Sequence, residues 1–266
     1  MGLALRVPVL MYHRVGEAGN DWEARYAIGA ANFAAHMSAL ARSGYRAVGI
    51  DELVAWLEGG PALQEGAILI TFDDGFRGVR EHALPVLEVM GWPYTVFLVS
   101  DLIGAHDFWT RKSNPSGQTY PLLDVDEIRD MQGRGCSFHS HTRGHASLPT
   151  LSEDVLTDQL AGSRQALARM LGREVEYIAY PFGHVDDRVV AATRAAGYRA
   201  AFATQPGFNR CDVNRFRIRR LDVYGTDTPA MLLRKIRFGT NDGSLSHVVR
   251  YYLERIKGRL SGGMGA

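Results

Sequence analysis

The stretch AILITFDDG, residues 67–75, decides the fold. Its first six residues carry no charge and include β-branched and aromatic side chains. Such a run is short enough for a strand and apolar enough to be covered on both faces, as strands of a parallel sheet are. It then stops abruptly at two adjacent carboxylates and a glycine. Ala67–Phe72 therefore predicts a buried strand with Asp73 and Asp74 at its C-terminal tip, the end at which α/β barrels carry their chemistry. Two neighbouring carboxylates repel unless a cation neutralises them. Taken alone, DDG also reads as a capped turn, since Asp and Gly both favour turns.

Outward from this strand, short apolar runs alternate with longer helical patterns. Further candidate strands are Val7–Tyr12, Arg46–Ile50, Tyr94–Ser100, Cys136–His139, Glu176–Pro181, Arg199–Thr204 and Arg217–Val223. Amphipathic segments between them include Ala31–Ser43, Gly78–Met90, Val125–Gln132, Glu153–Leu171 and Asp187–Ala196. This β-then-α rhythm implies parallel strands joined by helical crossovers. Seven or eight such units point to a barrel, complete or slightly open, rather than a doubly wound sheet. No Pro-, Gly- or Ser-rich linker divides the chain. The least regular stretch, Ile103–Tyr120, follows a strand end and is expected to overhang the face that carries the site.

Composition excludes more than it selects. The chain has 266 residues, 46% hydrophobic and 22% charged, which suits one sizeable globular core. Thirty Lys and Arg against 29 Asp and Glu leave no bulk field to recruit nucleic acid. Cys136 and Cys211 lack metal-type or disulfide-framework spacing. The start, MGLALRVPVLMYHRV, has an apolar run broken by Arg6 and Pro8 and no small-residue cleavage site, and no run is long enough for a membrane span. The expectation is a cytoplasmic protein, with peripheral membrane contact open through a C-terminal helix, Ser246–Leu260, where aromatics lie beside Arg250, Arg255, Lys257 and Arg259.

Two further motifs accompany the carboxylates. In FHSHTRGHASL, residues 138–148, His141 and His145 stand at i, i+4 and share one face if the segment turns helically. Two histidines and one carboxylate make the N2O set of catalytic divalent metals, leaving positions open for water and substrate. His139 is an odd step away and reads as structural or supporting. In IAYPFGH, residues 178–184, a strand end runs into Pro and Gly, a turn able to aim a backbone N–H at an oxyanion.

With TFDDG, HTRGH and AYPFG in this order, and PVLMYHRV and FRIRRLDV flanking them, the chain resembles the polysaccharide deacetylases, also called the NodB-homology domain or carbohydrate esterase family four. It is nearest to their poly-N-acetylglucosamine deacetylase branch. The resemblance spans roughly Pro8 to Gly239. It implies an α/β fold, a distorted or incomplete (β/α)7-8 barrel as a single domain over residues 1–240, with 241–266 as a C-terminal helix and flexible tail. It implies metal-dependent hydrolysis of N-acetyl groups, with Asp73 as general base and Asp74, His141 and His145 as metal ligands. Zinc is the expected ion, with cobalt, nickel or iron compatible with the same set. A backbone N–H in the turn Tyr180, Pro181, Phe182, Gly183 would hold the oxyanion, and Thr142 would orient the metal loop or cap a helix. His13 is implied as the general acid. Many members carry an Arg at the position of Ala179 that pairs with the base. Its absence leaves Asp73 in need of another cation, and Arg220 is the candidate.

Aromatics suit a carbohydrate substrate, and Trp109, Tyr120, Phe182 and Tyr224 are candidate platforms, each equally readable as core. Trp109 leans towards ligand contact because its loop is polar. Two other functions stay open: a metal amidohydrolase acting on a small non-sugar C–N bond, and a non-catalytic carbohydrate-binding scaffold.

Overall fold

The computed structural model describes residues 5–247, 249–251 and 253. Ten strands are present: β1 (Val9–Tyr12), β2 (Arg14–Val15), β3 (Ala27–Ile28), β4 (Arg46–Ala47), β5 (Ala67–Phe72), β6 (Tyr94–Leu98), β7 (Cys136–Ser140), β8 (Tyr177–Ala179), β9 (Ala200–Phe202) and β10 (Leu221–Asp222). Eight of them form one parallel sheet in the order β10-β1-β5-β6-β7-β8-β9, with β4 on the edge of β5. The sheet curls until a single parallel bridge, Phe202 to Ile218, links β9 to the segment leading into β10. This is an incomplete (β/α) barrel. β2 and β3 form a separate parallel pair beside its mouth.

Strand pleat sorts the side chains. Along β5, Ile68, Ile70 and Phe72 join an outer core beneath the helices, while Ala67 and Leu69 face the barrel interior. The same alternation puts Val9 of β1, Phe97 of β6, Tyr177 of β8, Phe202 of β9 and Ile218 inside, all within 2% of full burial. Continuing each inward row towards the C-terminal tips leads to His13, Asp73, His141 and Asp222. The strands thereby deliver the polar residues to one mouth.

Eight α-helices cover the sheet: α1 (Ala30–Arg42), α2 (Ile50–Leu57), α3 (Leu84–Met90), α4 (Val125–Gln132), α5 (Glu153–Thr157), α6 (Ser163–Leu171), α7 (Asp187–Ala195) and α8 (Pro229–Phe238). α1 buries Phe33, His36, Met37 and Leu40, the i, i+3, i+4, i+7 stripe of a helix on a core. α2 contributes Leu53 and Val54 to the interior cluster and closes the lower end of the barrel. α8 starts at Thr228, whose hydroxyl accepts from Met231 N–H, with Pro229 next, and ends at left-handed Gly239.

Several expected boundaries shift. The strand read as Arg46–Ile50 stops at Ala47, because Ile50 opens α2, with the Glu52 carboxylate accepting from Gly49 N–H. The helices read as Gly78–Met90 and Glu153–Leu171 are each interrupted by a π turn, at Val79–Ala83 and Asp158–Gly162. Residues 245–247 and 249–251 are helical, but most of the expected segment 246–260 lies outside the described residues. No helix among the described residues is long and apolar enough to cross a membrane.

Candidate active site

The tip of β5 divides its two carboxylates. Asp73 continues the inward row, and its backbone N–H donates to Tyr12 O at 2.9 Å. Below it Arg220, fully buried, donates from Nη1 and Nη2 to the two carboxylate oxygens at 2.6 and 2.8 Å. A guanidinium and a carboxylate matched in this fork geometry form a strong, oriented pair. Burial works against the charge on Asp73, but Arg220, with His141 and His13, outweighs it and holds the carboxyl below its ordinary value. Arg220 is also tied by Nε to Ala203 O at 3.0 Å and does not line the cleft. Asp73 thus has a buried cationic partner although position 179 is Ala.

Asp74 turns away through a left-handed backbone, φ 74°. Gly75 follows in the same region, where a Cβ would meet Leu98 Cδ2 at 2.7 Å, so glycine is required. Asp74 Oδ1 lies 3.4 Å from His141 Nε2 and 3.3 Å from His145 Nε2, and is buried without a hydrogen-bond partner. The three side chains offer ligand atoms within 4.8 Å of one another. Ligands bonded at about 2.0–2.2 Å to one ion stand roughly 3–3.5 Å apart, so these residues fit a divalent metal. His141 Nδ1 donates to Ala179 O at 2.8 Å, which turns the Nε2 lone pair to the site. Burial pushes the His141 pKa down to about 4 against the pull of Asp73, so the ring is neutral near pH 7.

The histidines do not meet on a helix. β7 ends at Ser140, and the loop beyond it brings them together through left-handed residues, Thr142 at φ 69° and His145 at φ 57°. The Thr142 hydroxyl accepts from His145 N–H at 3.2 Å and holds this loop. His139 sits one layer down, with Nε2 2.9 Å from Ser137 Oγ and its ring against Tyr177.

Phe182 is left-handed as well, φ 58°. Among the described residues, Asp74, Thr142, His145 and Phe182 are the non-glycine residues with positive φ, and all four stand at this mouth. Strain so concentrated marks a site that the surrounding fold over-determines. Within the AYPFG turn, Tyr180 N–H donates to Phe202 O, Gly183 N–H to Tyr180 O, and Pro181 has none. The Phe182 amide is left as the candidate oxyanion donor. Gly183 cannot be replaced there, since a Cβ would collide with Thr204. Tyr180 itself belongs to the outer core, its hydroxyl donating to Phe216 O, so its side chain is not a substrate contact.

The mouth opens into a cleft of 810 Å³. His13 lines it with Asp73 and Asp74, its ring 5.4 Å from that of Tyr26. Trp109 stacks on His145 at 4.5 Å and 22°, and half-exposed Phe182 meets the same imidazole edge-on at 4.6 Å. The other two candidate platforms, Tyr120 and Tyr224, line the cleft as well, each with a cation against its ring. The Arg14 guanidinium lies 3.6 Å over the ring of Tyr120, and Lys235 Nζ 4.2 Å from that of Tyr224. Asp222 had not been singled out in the sequence. It lines the cleft, Oδ2 accepts from Asn241 at 2.5 Å and Tyr224 at 3.2 Å, and Oδ1 is buried without a partner. Burial raises its pKa, opposed first by His13. Its signal was parity: Asp222 stands two residues beyond Arg220 on the same inward row.

The curled parallel sheet gathers Asp73, Asp74, His13, His141 and His145 at its C-terminal mouth, the end at which barrel enzymes carry their sites. The chain belongs to the polysaccharide deacetylase family, whose profile matches residues 61–201. YxkH of Bacillus subtilis (strain 168) is 27% identical over 218 residues, covering 82% of this chain and 71% of that protein. The poly-beta-1,6-N-acetyl-D-glucosamine N-deacetylase of Staphylococcus epidermidis is 25% identical over 166 residues, 59% of this chain. The chain spans about half the length of that relative, 54%. Among solved structures, IcaB from Ammonifex degensii shares the fold with a TM-score of 0.71 at 27% identity, covering 82% of this chain and 92% of that one. The family is metal-dependent, and among the described residues Asp74, His141 and His145 form a set that could hold an ion.

Proposed function

We propose that the chain hydrolyses the N-acetyl groups of N-acetylglucosamine units in an oligo- or polysaccharide or glycoconjugate. The observation that carries this reading is the division of labour at the tip of β5: Asp74 grouped with two histidines, and Asp73 paired with a buried arginine. A divalent ion held by Asp74, His141 and His145, zinc foremost and cobalt, nickel or iron by the same donor set, would acidify water and polarise the acetamide carbonyl. Asp73, kept anionic by Arg220, takes the proton of the attacking water. The Phe182 amide hydrogen-bonds the oxyanion as the carbonyl carbon becomes tetrahedral. The C–N bond then breaks, and His13 delivers a proton to the departing amine.

The test is acetate release from N-acetylglucosamine oligomers by metal-stripped protein, before and after zinc or cobalt is added back. Metal-restored release supports the proposal. Release only from small cyclic amides would move the reading to a non-sugar amidohydrolase, and protein that binds sugar without metal or turnover would be a scaffold.

A further inference from the structure

The reaction as drawn leaves one flank of the cleft unexplained. β1 and β7 lie on opposite sides of β5 in the sheet, so His13 and the His141–His145 pair flank the two carboxylates from opposite directions. On the histidine-pair flank, Trp109 and Phe182 pack on His145. On the other, the short 3-10 turn Glu23–Arg25 is bounded by Trp22 and Tyr26, whose rings meet at 5.2 Å, and Tyr26 reaches His13. Both rings line the cleft, and Tyr26 keeps 41% of its surface exposed.

This pair is held rigidly. Glu23, between the two aromatics, is 2% exposed. Its carboxylate accepts from Arg14 at 3.0 Å, Gly19 N–H at 2.8 Å, Asn114 at 2.8 Å and the Tyr120 hydroxyl at 2.6 Å. The last two donors come from the long loop after β6, so one buried carboxylate clamps both loops. A fixed aromatic surface facing a cleft costs little further ordering when it binds a ligand.

We propose that Tyr26 and Trp22 form a sugar-stacking track leading away from His13, with Trp22 taking the hexosamine unit next to the one being deacetylated. The inference rests on the deacetylase reading for its direction. An amine protonated by His13 places its own sugar ring on that flank, beside Tyr26, and Trp22 stands one ring further out. The apolar face of a pyranose packs on an aromatic plane while its hydroxyls stay in water.

The test is calorimetric titration of metal-loaded Asp73→Asn protein, so that binding is read without turnover, using a β-1,6-linked N-acetylglucosamine tetramer and the methyl glycoside of the monosaccharide. The tetramer is expected to bind about tenfold more tightly than the monosaccharide. Trp22→Ala should remove that advantage, and Trp22→Phe should restore most of it. An unchanged tetramer affinity in Trp22→Ala overturns the track, and so does a Trp22→Phe variant as weak as the alanine. Absence of acetate release from the unmodified enzyme would refute the reaction instead, leaving the binding result to stand by itself.

Discussion

Val9, Leu69 and Ile218 point into the lower half of the barrel, and a few residues further along the same inward rows stand His13, Asp73, Arg220 and Asp222 in the upper half. The lower layer, with Phe97, Tyr177 and Phe202, is closed by α2 and holds almost no charge. The upper layer holds charges instead: fully buried Arg220 is paired with Asp73, and half-buried Asp222 accepts from Asn241 and Tyr224. A buried charge without such a partner would cost several kcal/mol. The two halves thus share a backbone but divide the work, the lower supplying stability and the upper chemistry.

That division can be broken from either side. The largest effect is expected in the upper half, where Asp73→Asn should lower acetate release about 10²- to 10⁴-fold, measured as kcat on the acetylated tetramer. A variant that keeps its rate would remove Asp73 from the role of base. In the lower half, Phe97→Ala should cost about 3–5 kcal/mol in denaturant unfolding while the folded fraction retains its metal affinity. Loss of metal affinity without loss of stability would show that the layers are not separate.

The smallest effect concerns the loop clamp. Burial opposes the charge on Glu23, but hydrogen bonds from Tyr120, Gly19 and Asn114, with the charge of Arg14, lower its pKa. A carboxyl lowered on folding adds stability that is complete above its unfolded value, about 4.3, and is lost as pH falls through the folded one. Glu23→Gln should therefore be about 1–3 kcal/mol less stable than the parent at pH 7, with the gap shrinking below pH 4. A gap independent of pH would place its origin in packing rather than charge.

Which parts of this molecule were legible in the sequence follows from how local their signals are. β5 was bounded to the residue because a doubly buried strand is an unbroken apolar run that ends at its first charges. Asp73, Asp74, His141 and His145 stand out because each motif lies within a few residues, but the choice of Asp74 over Asp73 as the metal carboxylate came only from the family resemblance. The i, i+4 spacing of the histidines suggested a helical turn, whereas strained loop residues do the pairing, and no periodicity announces left-handed threonine or histidine. Arg220 meets Asp73 across 147 residues, so its partner could be named only through the family resemblance. α2 carried a readable start, Gly49 with Glu52 three residues on, but its first residue was assigned to the preceding strand. Trp22 and Tyr26 lie in a turn whose position depends on Glu23 contacts with Asn114 and Tyr120, and no local pattern encodes those.

The proposed site gives its two neighbouring carboxylates different tasks. Zinc titration by calorimetry into metal-stripped parent, Asp73→Asn and Asp74→Ala tests it most directly. One zinc per chain is predicted for the parent and for Asp73→Asn, with binding lost in Asp74→Ala. Zinc binding that survives in Asp74→Ala but disappears in Asp73→Asn would contradict the account.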